Sequence, residues 1–554
     1  MHQLSLYRQR IILGLILLAA VMVYAQVISF HFVNLDDPLL VYDNSFVTVF
    51  SPAHLAHSFF TYDPELYIPL TFVSYQVETA VAGLNAWHFH LINLLLHLGC
   101  VTLVFLVLRR LLDARIALLT AALFALHPIN TETVAWISAR KDLLSALFSL
   151  ASLYAFLSYR HTPRRKWRIA TILFFALALL GKATAITLPA IFLLIDVWQK
   201  RSIANRKMAT DYAPLALLSA VFGVIALVGK RKAIAHAVLT PLSWVLLSMK
   251  AVVMTIAHVV WPLHLSPFYP VSGDISFLHA QYAVPVLLVI ATMICLALWR
   301  LRSLSIALSM FLVALLPSFF TFAKDDHLYL TSDRYAYLPS IMLFVLIATG
   351  VSRLMHRRNV AVFALIPSFV LASSYGAISI LQAQIWRNSV ALNQAILAQS
   401  PDEYHSINNL GNALETEGKT DEALALYKRA VAINPQFEYA YLNAGSLLAN
   451  QKKYPAAIAL FAAGLQKIPR SIALQENMGL AQEDAGQSDA AIATYESILA
   501  LDPRDILALQ EVASLYGKKK EFEKALAAYK QLMDIDPAFK TRVLEQMKQS
   551  GMGK

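Results

Sequence analysis

Little in this chain can cross-link or carry charge. Its two cysteines, Cys100 and Cys295, each sit inside an apolar run, which supports neither a disulfide framework nor a zinc site. Charged residues make up only 15% of the 554 positions against 58% hydrophobic ones, and the mean hydropathy is +0.56. That balance is too apolar for a soluble protein of this size and reads as a polytopic membrane protein. Also missing are a P-loop, a dinucleotide glycine fingerprint, an HExxH and a GxSxG, which argues against an ATP-driven transporter or a zinc protease. The formal charge of +11 comes largely from basic residues at the ends of apolar runs, such as Arg109 and Arg110, Arg164 to Lys166, Arg300 and Arg302, and Arg357 and Arg358. Membrane topology explains that placement, and nucleic-acid binding is not expected.

What is present falls into two parts, because the composition changes near residue 400 from apolar runs to that of a soluble helical protein. Candidate spans are 11–30, 88–108, 114–128, 135–158, 169–181, 183–198, 211–229, 244–261, 282–299, 303–321, 336–353 and 359–377. The first, preceded by Arg8 and Arg10, has a signal-peptide look, with V-Y-A at 23–25, but its length favours an uncleaved span. Positive-inside reasoning puts 31–87 outside as the first extracytoplasmic loop, and Arg109, Arg110 and RHTPRRKWR (160–168) inside. About 11 to 13 spans are expected; counting from the later basic links favours eleven or thirteen crossings, which leave the C-terminal domain extracytoplasmic, where twelve would return it to the cytoplasm. The expected organisation is a membrane domain over 1–378, a connection over 379–403, a repeat region over 404–539 and a tail over 540–554.

The repeat region is legible from Pro401, Pro435, Pro469, Pro503 and Pro537, which recur every 34 residues, the tetratricopeptide (TPR) period. Gly411, Gly445 and Gly479, with Ala513, share one register position. Ala423, Ala457, Ala491 and Ala525 share another, and Tyr427, Phe461, Tyr495 and Tyr529 a third. Small residues let paired helices approach, the aromatic fills the gap, and each proline ends a unit. Four repeats are predicted: 404–437, 438–471, 472–505 and 506–539. Their concave face suits a protein or peptide, although such a stack can also be purely structural.

Ionisable residues at membrane depth are costly and therefore mark candidate sites. In HFHLINLLLH, residues 88–97, His90, Asn93 and His97 share a helix face; they could line a cavity or hold the bundle together. No third ligand stands nearby, so a metal is not expected there. In ALHPINTETVAWISARKDLLSALF (125–148), Glu132, Trp136 and Arg140 repeat every four residues along a predicted helix start, with Lys141 and Asp142 alongside. Arg140 would offer a lipid phosphate a cation; alternatively Glu132 and Arg140 neutralise charges in the bundle. Lys182, in an otherwise apolar stretch, should snorkel or meet an anion. Arg334, in KDDHLYLTSDRYAYLP (324–339), suits bidentate phosphate binding or a salt bridge with Asp333. Finally FVNLDDPLLVYDN (32–44) sets Asp36 and Asp37 side by side just beyond the first span, with Asp43 an ordinary loop residue.

Taken in order, NLDDPLLVYDN, YIPLTFVSYQ, GLNAWHFHLINLLLH, LFALHPINTETVAWISARKDLLS, GKATAITLP, SPFYP, DRYAYLP and then TPRs resemble the bacterial relatives of the transmembrane-and-TPR O-mannosyltransferases, within the GT-C class. The resemblance implies an all-α fold, a polytopic helical bundle followed by a TPR α-solenoid. It implies an inverting transferase that moves a sugar, mannose or a similar hexose, from a polyprenyl-phosphate donor to a protein acceptor on the extracytoplasmic side. The location implied is a multi-pass place in the bacterial inner membrane. On that resemblance Asp36 or Asp37 is the base that takes the acceptor hydroxyl proton. Arg140, Lys182 and Arg334 are the candidate cations for the leaving phosphate, and His90, His97, His127 and Glu132 the candidates lining the sugar pocket. No bound cofactor is specified; a divalent metal stays open, as does the part of the second aspartate. One departure is Ile68, where the resemblance leads one to expect His or Arg before Pro-Leu-Thr. Two other functions compete: a non-catalytic TPR scaffold for envelope or secretion assembly, and a transporter of lipid-linked sugars.

Overall fold

The structure is a computed structural model that describes residues 5–62, 66–202, 206–229, 239–271, 273–324, 327–355, 361–536 and 540–541. It divides into two compact units, Met1–Gln399 and Ser400–Lys554. Apart from an isolated bridge and a two-residue hairpin, Ala323–Lys324 against His327–Leu328, the regular structure among the described residues is helical.

Every apolar stretch picked out in the first unit is helical over most of its described residues. Among the described residues seven helices are long and apolar enough to cross a membrane: Leu6–Ser29, Ala86–Leu111, Ile137–His161, Met208–Gly229, Pro241–Val260, Ala280–Leu298 and Arg302–Thr321. The count is eight if the bent pair Ala114–Leu126 and Pro128–Ala135 is one span. Ala183–Trp198 and Ser340–Met355 are apolar but shorter than these spans. The basic residues 357 and 358 lie outside the described residues.

Small side chains set how closely these helices pack. Helix Arg140–His161 buries Ser145, Ser149 and Ser152, and Ser152 donates to Thr171 O at 2.8 Å while Ser145 donates to Lys182 O at 3.3 Å. Lipid gives no hydrophobic drive for helices to associate, so close backbone approach and interhelical hydrogen bonds must hold them. At Gly181 a Cβ would stand 3.0 Å from Ser145 N, a close approach that favours glycine before Lys182. Helix starts are capped where the sequence offers a cap: Asn85 accepts from Trp87 N, Asp113 from Arg115 N and Thr240 from Ser243 N.

Among the described residues the second unit has four helix pairs: Tyr404–Thr416 with Thr420–Ile433, Glu438–Asn450 with Tyr454–Lys467, Ile472–Asp484 with Ser488–Leu501, and Ile506–Lys518 with Phe522–Ile535. Within the first three pairs the register glycine lies against the register aromatic. A Cβ at Gly411 would collide with Tyr427, at Gly445 with Phe461 and at Gly479 with Tyr495. Those three rings are buried. In the fourth pair Ala513 takes the glycine position and Tyr529 is 37% exposed, as expected when the ring loses the space a glycine leaves.

Candidate active site

The loop after the first helix folds back onto the bundle and fixes the two aspartates differently. Asp37 is 1% exposed. Its Oδ2 accepts from Val33 N at 2.9 Å, and its Oδ1 accepts from Ser138 N at 3.1 Å and Ser138 Oγ at 2.5 Å. Burial pushes the Asp37 carboxyl up to about 6, against the pull of the hydrogen bonds from Ser138 and Val33, with the Asp36 charge adding to the rise. Asp36 is more open, its side chain 20% exposed, and its Oδ2 lies 3.4 Å from Lys141 Nζ. Adjacent residues of an irregular loop therefore face different surroundings.

The stretch 125–140 is not one helix start. The helix Ala114–Leu126 gives way to a 3-10 turn at Pro128–Asn130, a short helix at Thr131–Ala135, an extended Trp136 with ψ 124°, and another 3-10 turn at Ile137–Ala139 before Arg140–His161 begins. His127 caps the first turn by accepting from Ile129 N at 3.1 Å. This corrects the single-face expectation: Glu132 and Arg140 do not lie along one helix side, because the extended Trp136 and the 3-10 turn after it interrupt the period.

The consequence is a different division of the cations. Arg140 is fully buried and its donors are taken: Nε bonds Asn93 Oδ1 at 2.7 Å, Nη2 bonds Phe89 O at 2.7 Å, and Nη1 pairs with Glu78. Glu78 also bonds His88 Nδ1 at 2.9 Å. Lys141, one residue on, instead faces Asp36 and lies 5.0 Å from the Trp136 ring. Lys182 Nζ bonds Asp142 Oδ1 at 2.6 Å and lies 5.2 Å from the Tyr335 ring. Arg334 pairs with Glu132 Oε1 at 2.5 Å, not with Asp333, and its guanidinium carbon lies 5.0 Å from the Trp136 ring. Asp333 accepts from Tyr269 OH at 2.9 Å, joining SPFYP to DRYAYLP. Lys141 stands within electrostatic reach of Asp36, Lys182, Arg334 and Asp142, so these groups form one cluster around Trp136.

The three histidine candidates are buried in the bundle. His97 bonds Tyr337 OH at 2.7 Å and His127 bonds Val259 O at 2.9 Å, both fully buried. His90, also buried, sets its ring edge-on to Phe30. Ile68 is 2% exposed among Leu40, Val41, Phe72 and Tyr75, a site where a basic side chain would lose its hydration. Among the described residues no group of three His, Cys, Asp or Glu side chains could hold a metal ion.

Sequence reasoning missed Ser138, Glu78 and Trp386 as site residues. Trp386 stacks on Trp136 with centroids 5.5 Å apart, and the same turn holds the acidic loop: His31 N donates to Arg387 O at 3.0 Å and Asn34 N to Ser389 Oγ at 2.8 Å. Glu78 carried a readable signal, an acid on a helix with buried neighbours. Ser138 and Trp386 carried none.

Beside the cluster lies a mostly apolar cavity of about 940 Å³. Asp142, Arg334 and Tyr335 line it where it meets the cluster. Its wall then follows helix Ser340–Met355 past Met342 and Val345 to Arg353.

A multi-pass helical membrane unit with a buried acidic loop, a cation cluster and an appended TPR stack is thus defined. Residues 69–226 match the family described as dolichyl-phosphate-mannose-protein mannosyltransferase, and residues 386–437, 408–472 and 477–538 match tetratricopeptide repeats. The chain is similar to protein O-mannosyl-transferase Tmtc1 of Drosophila melanogaster, 43% identical over 133 residues, which cover 23% of this chain and 15% of that protein. It is likewise similar to protein O-mannosyl-transferase TMTC2 of Mus musculus, 33% identical over 138 residues, or 24% and 16%. Over these stretches the chain is similar to protein O-mannosyl-transferases, and the matched stretches span about a sixth of those relatives' length. The family match takes in Arg140, Lys141 and Lys182; Asp36, Asp37 and Arg334 lie outside it. A crystal structure of MamA is also similar, 21% identical with a TM-score of 0.25, covering 26% of this chain and 86% of that one, a likeness too small to argue from.

Proposed function

We propose that this protein is a membrane glycosyltransferase that moves a hexose, mannose by the names of its relatives, from a polyprenyl-phosphate donor to a protein hydroxyl on the extracytoplasmic side. The observation that carries this reading is the junction of an open carboxylate, three cations and a long apolar cavity at one place. The cavity suits a prenyl tail, and Lys141, Lys182 and Arg334 suit the phosphate at its head.

In the reaction so derived, the acceptor oxygen attacks the anomeric carbon as the sugar–phosphate C–O bond breaks. Its proton passes to Asp36, and the electron pair of the broken bond leaves on the phosphate, whose growing charge the three cations stabilise. Asp36 is the base because it combines access with a place in the cluster; Asp37, with both oxygens engaged, orients the loop. Arg140 acts through packing, and the TPR stack docks the acceptor.

The test is transfer of labelled mannose from a polyprenyl-phosphate donor to membrane acceptors. Asp36→Asn should lower transfer by about a hundredfold or more with normal expression. Full activity in Asp36→Asn would remove the base assignment, and a wild-type protein inert towards every polyprenyl-phosphate hexose would remove the transferase reading.

A further inference from the structure

A second cavity, of about 310 Å³, lies where helices Ala86–Leu111 and Arg140–His161 end and helix Arg165–Gly181 begins. It is lined by Arg110, Ser158, His161, Thr162, Arg164, Lys166 and Trp167, with no acid among them. Among the described residues none of Arg110, His161, Arg164 or Lys166 makes an ion pair. Their neighbour Arg160 behaves otherwise: Asp196 and Asp211, both buried, take its guanidinium at 2.8 Å each. Acids are therefore available at this end of the bundle, yet they stand apart from the cavity.

The cations are held in place by an aromatic pair. Arg110 lies 4.1 Å over the Tyr154 ring and donates to Ser158 Oγ at 2.7 Å and Tyr154 OH at 2.9 Å. Tyr154 meets Trp167 edge-on at 6.2 Å, and Lys166 lies 5.4 Å from the Trp167 ring. Helix Arg165–Gly181 opens with basic residues, no acid in its first turn and no side-chain cap, the arrangement its own dipole disfavours. Below Lys166 on the same helix face, at spacings of three and four, Ile169 and Leu173 are 52% and 54% exposed.

We propose that this cavity binds the phosphodiester headgroup of an anionic phospholipid, with Arg110, Arg164 and Lys166 on the phosphate and the acyl chains along Ile169 and Leu173. The anchored guanidinium supplies a preset donor fork, and Tyr154 and Trp167 are the ring types that sit at the headgroup level. The exposed aliphatic stripe distinguishes a lipid from a free phosphate, which would have no use for it. The site is separate from the proposed transferase site and stands or falls independently of it.

The test is native mass spectrometry and equilibrium binding of the full-length protein with phosphatidylglycerol, with phosphatidylcholine as the uncharged comparison. Arg110→Gln, Arg164→Gln and Lys166→Gln combined should weaken phosphatidylglycerol binding by roughly a hundredfold, at about one decade or less per cation. The same charge removed outside the cavity, by Arg8→Gln, Arg10→Gln and Arg165→Gln, should change it by a few-fold at most. Circular dichroism and gel filtration check that both variants fold. Equal losses in the two variants, equal binding of the two lipids by the wild type, or complete displacement by inorganic phosphate would each overturn the proposal.

Discussion

Asp37 and Arg140 are the residues whose surroundings change most when the chain is seen folded. Asp37 is a buried carboxyl whose ordinary value is raised, so the folded state holds its proton more tightly than the unfolded chain does. Its contribution to stability is full below about pH 4 and is lost as pH rises through about 6, a difference of roughly 3 kcal/mol. Melting of the detergent-solubilised protein at pH 4 and pH 7 checks this: the wild type should lose more stability over that interval than Asp37→Asn. Arg140 was legible as a cation at membrane depth, but its value to a phosphate was not, since Glu78 and Asn93 take its donors. Arg140→Lys cannot serve three acceptors in a fixed fork and should destabilise by about 3 kcal/mol. Lys141→Gln should leave the melting temperature nearly unchanged and lower sugar transfer. Equal melting of Arg140→Lys and wild type would contradict a packing role for Arg140.

Helices were legible where a period ran unbroken, and less so where one residue broke it. The 34-residue spacing carried both the repeat pairs and the glycine–aromatic contact, because those contacts recur at fixed offsets within each unit. Gly445→Ala drives a methyl into Phe461 and should cost about 1–3 kcal/mol of TPR stability by chemical unfolding. The same change at Gly83, where nothing lies within 4 Å, acts only through its φ of 76° and offers a contrast. In the membrane unit the four-residue spacing of Glu132, Trp136 and Arg140 suggested a shared face. The extended Trp136 and the 3-10 turn after it sent those side chains to separate partners. Spacing within a segment predicts a face only when the segment stays helical.

The cavity along Ser340–Met355 joins helices far apart in the chain, and the proposed donor path depends on its width. Ala307→Trp, on its wall, should raise the donor KM about tenfold or more while leaving melting within a few degrees of wild type. Unchanged donor kinetics would place the prenyl chain elsewhere. Hydropathy and the TPR period made the class of protein readable, because both are properties of residues near one another along the chain. The cluster depended on folding. Ser138 meets Asp37 across 101 residues and Glu132 meets Arg334 across 202. Several cations suited the phosphate equally well on paper, and the difference lay in where folding put them: Arg140 is fully buried against Glu78, Asn93 and Phe89, whereas Arg334 lines the cavity, a matter of long-range contact that one-dimensional spacing does not carry.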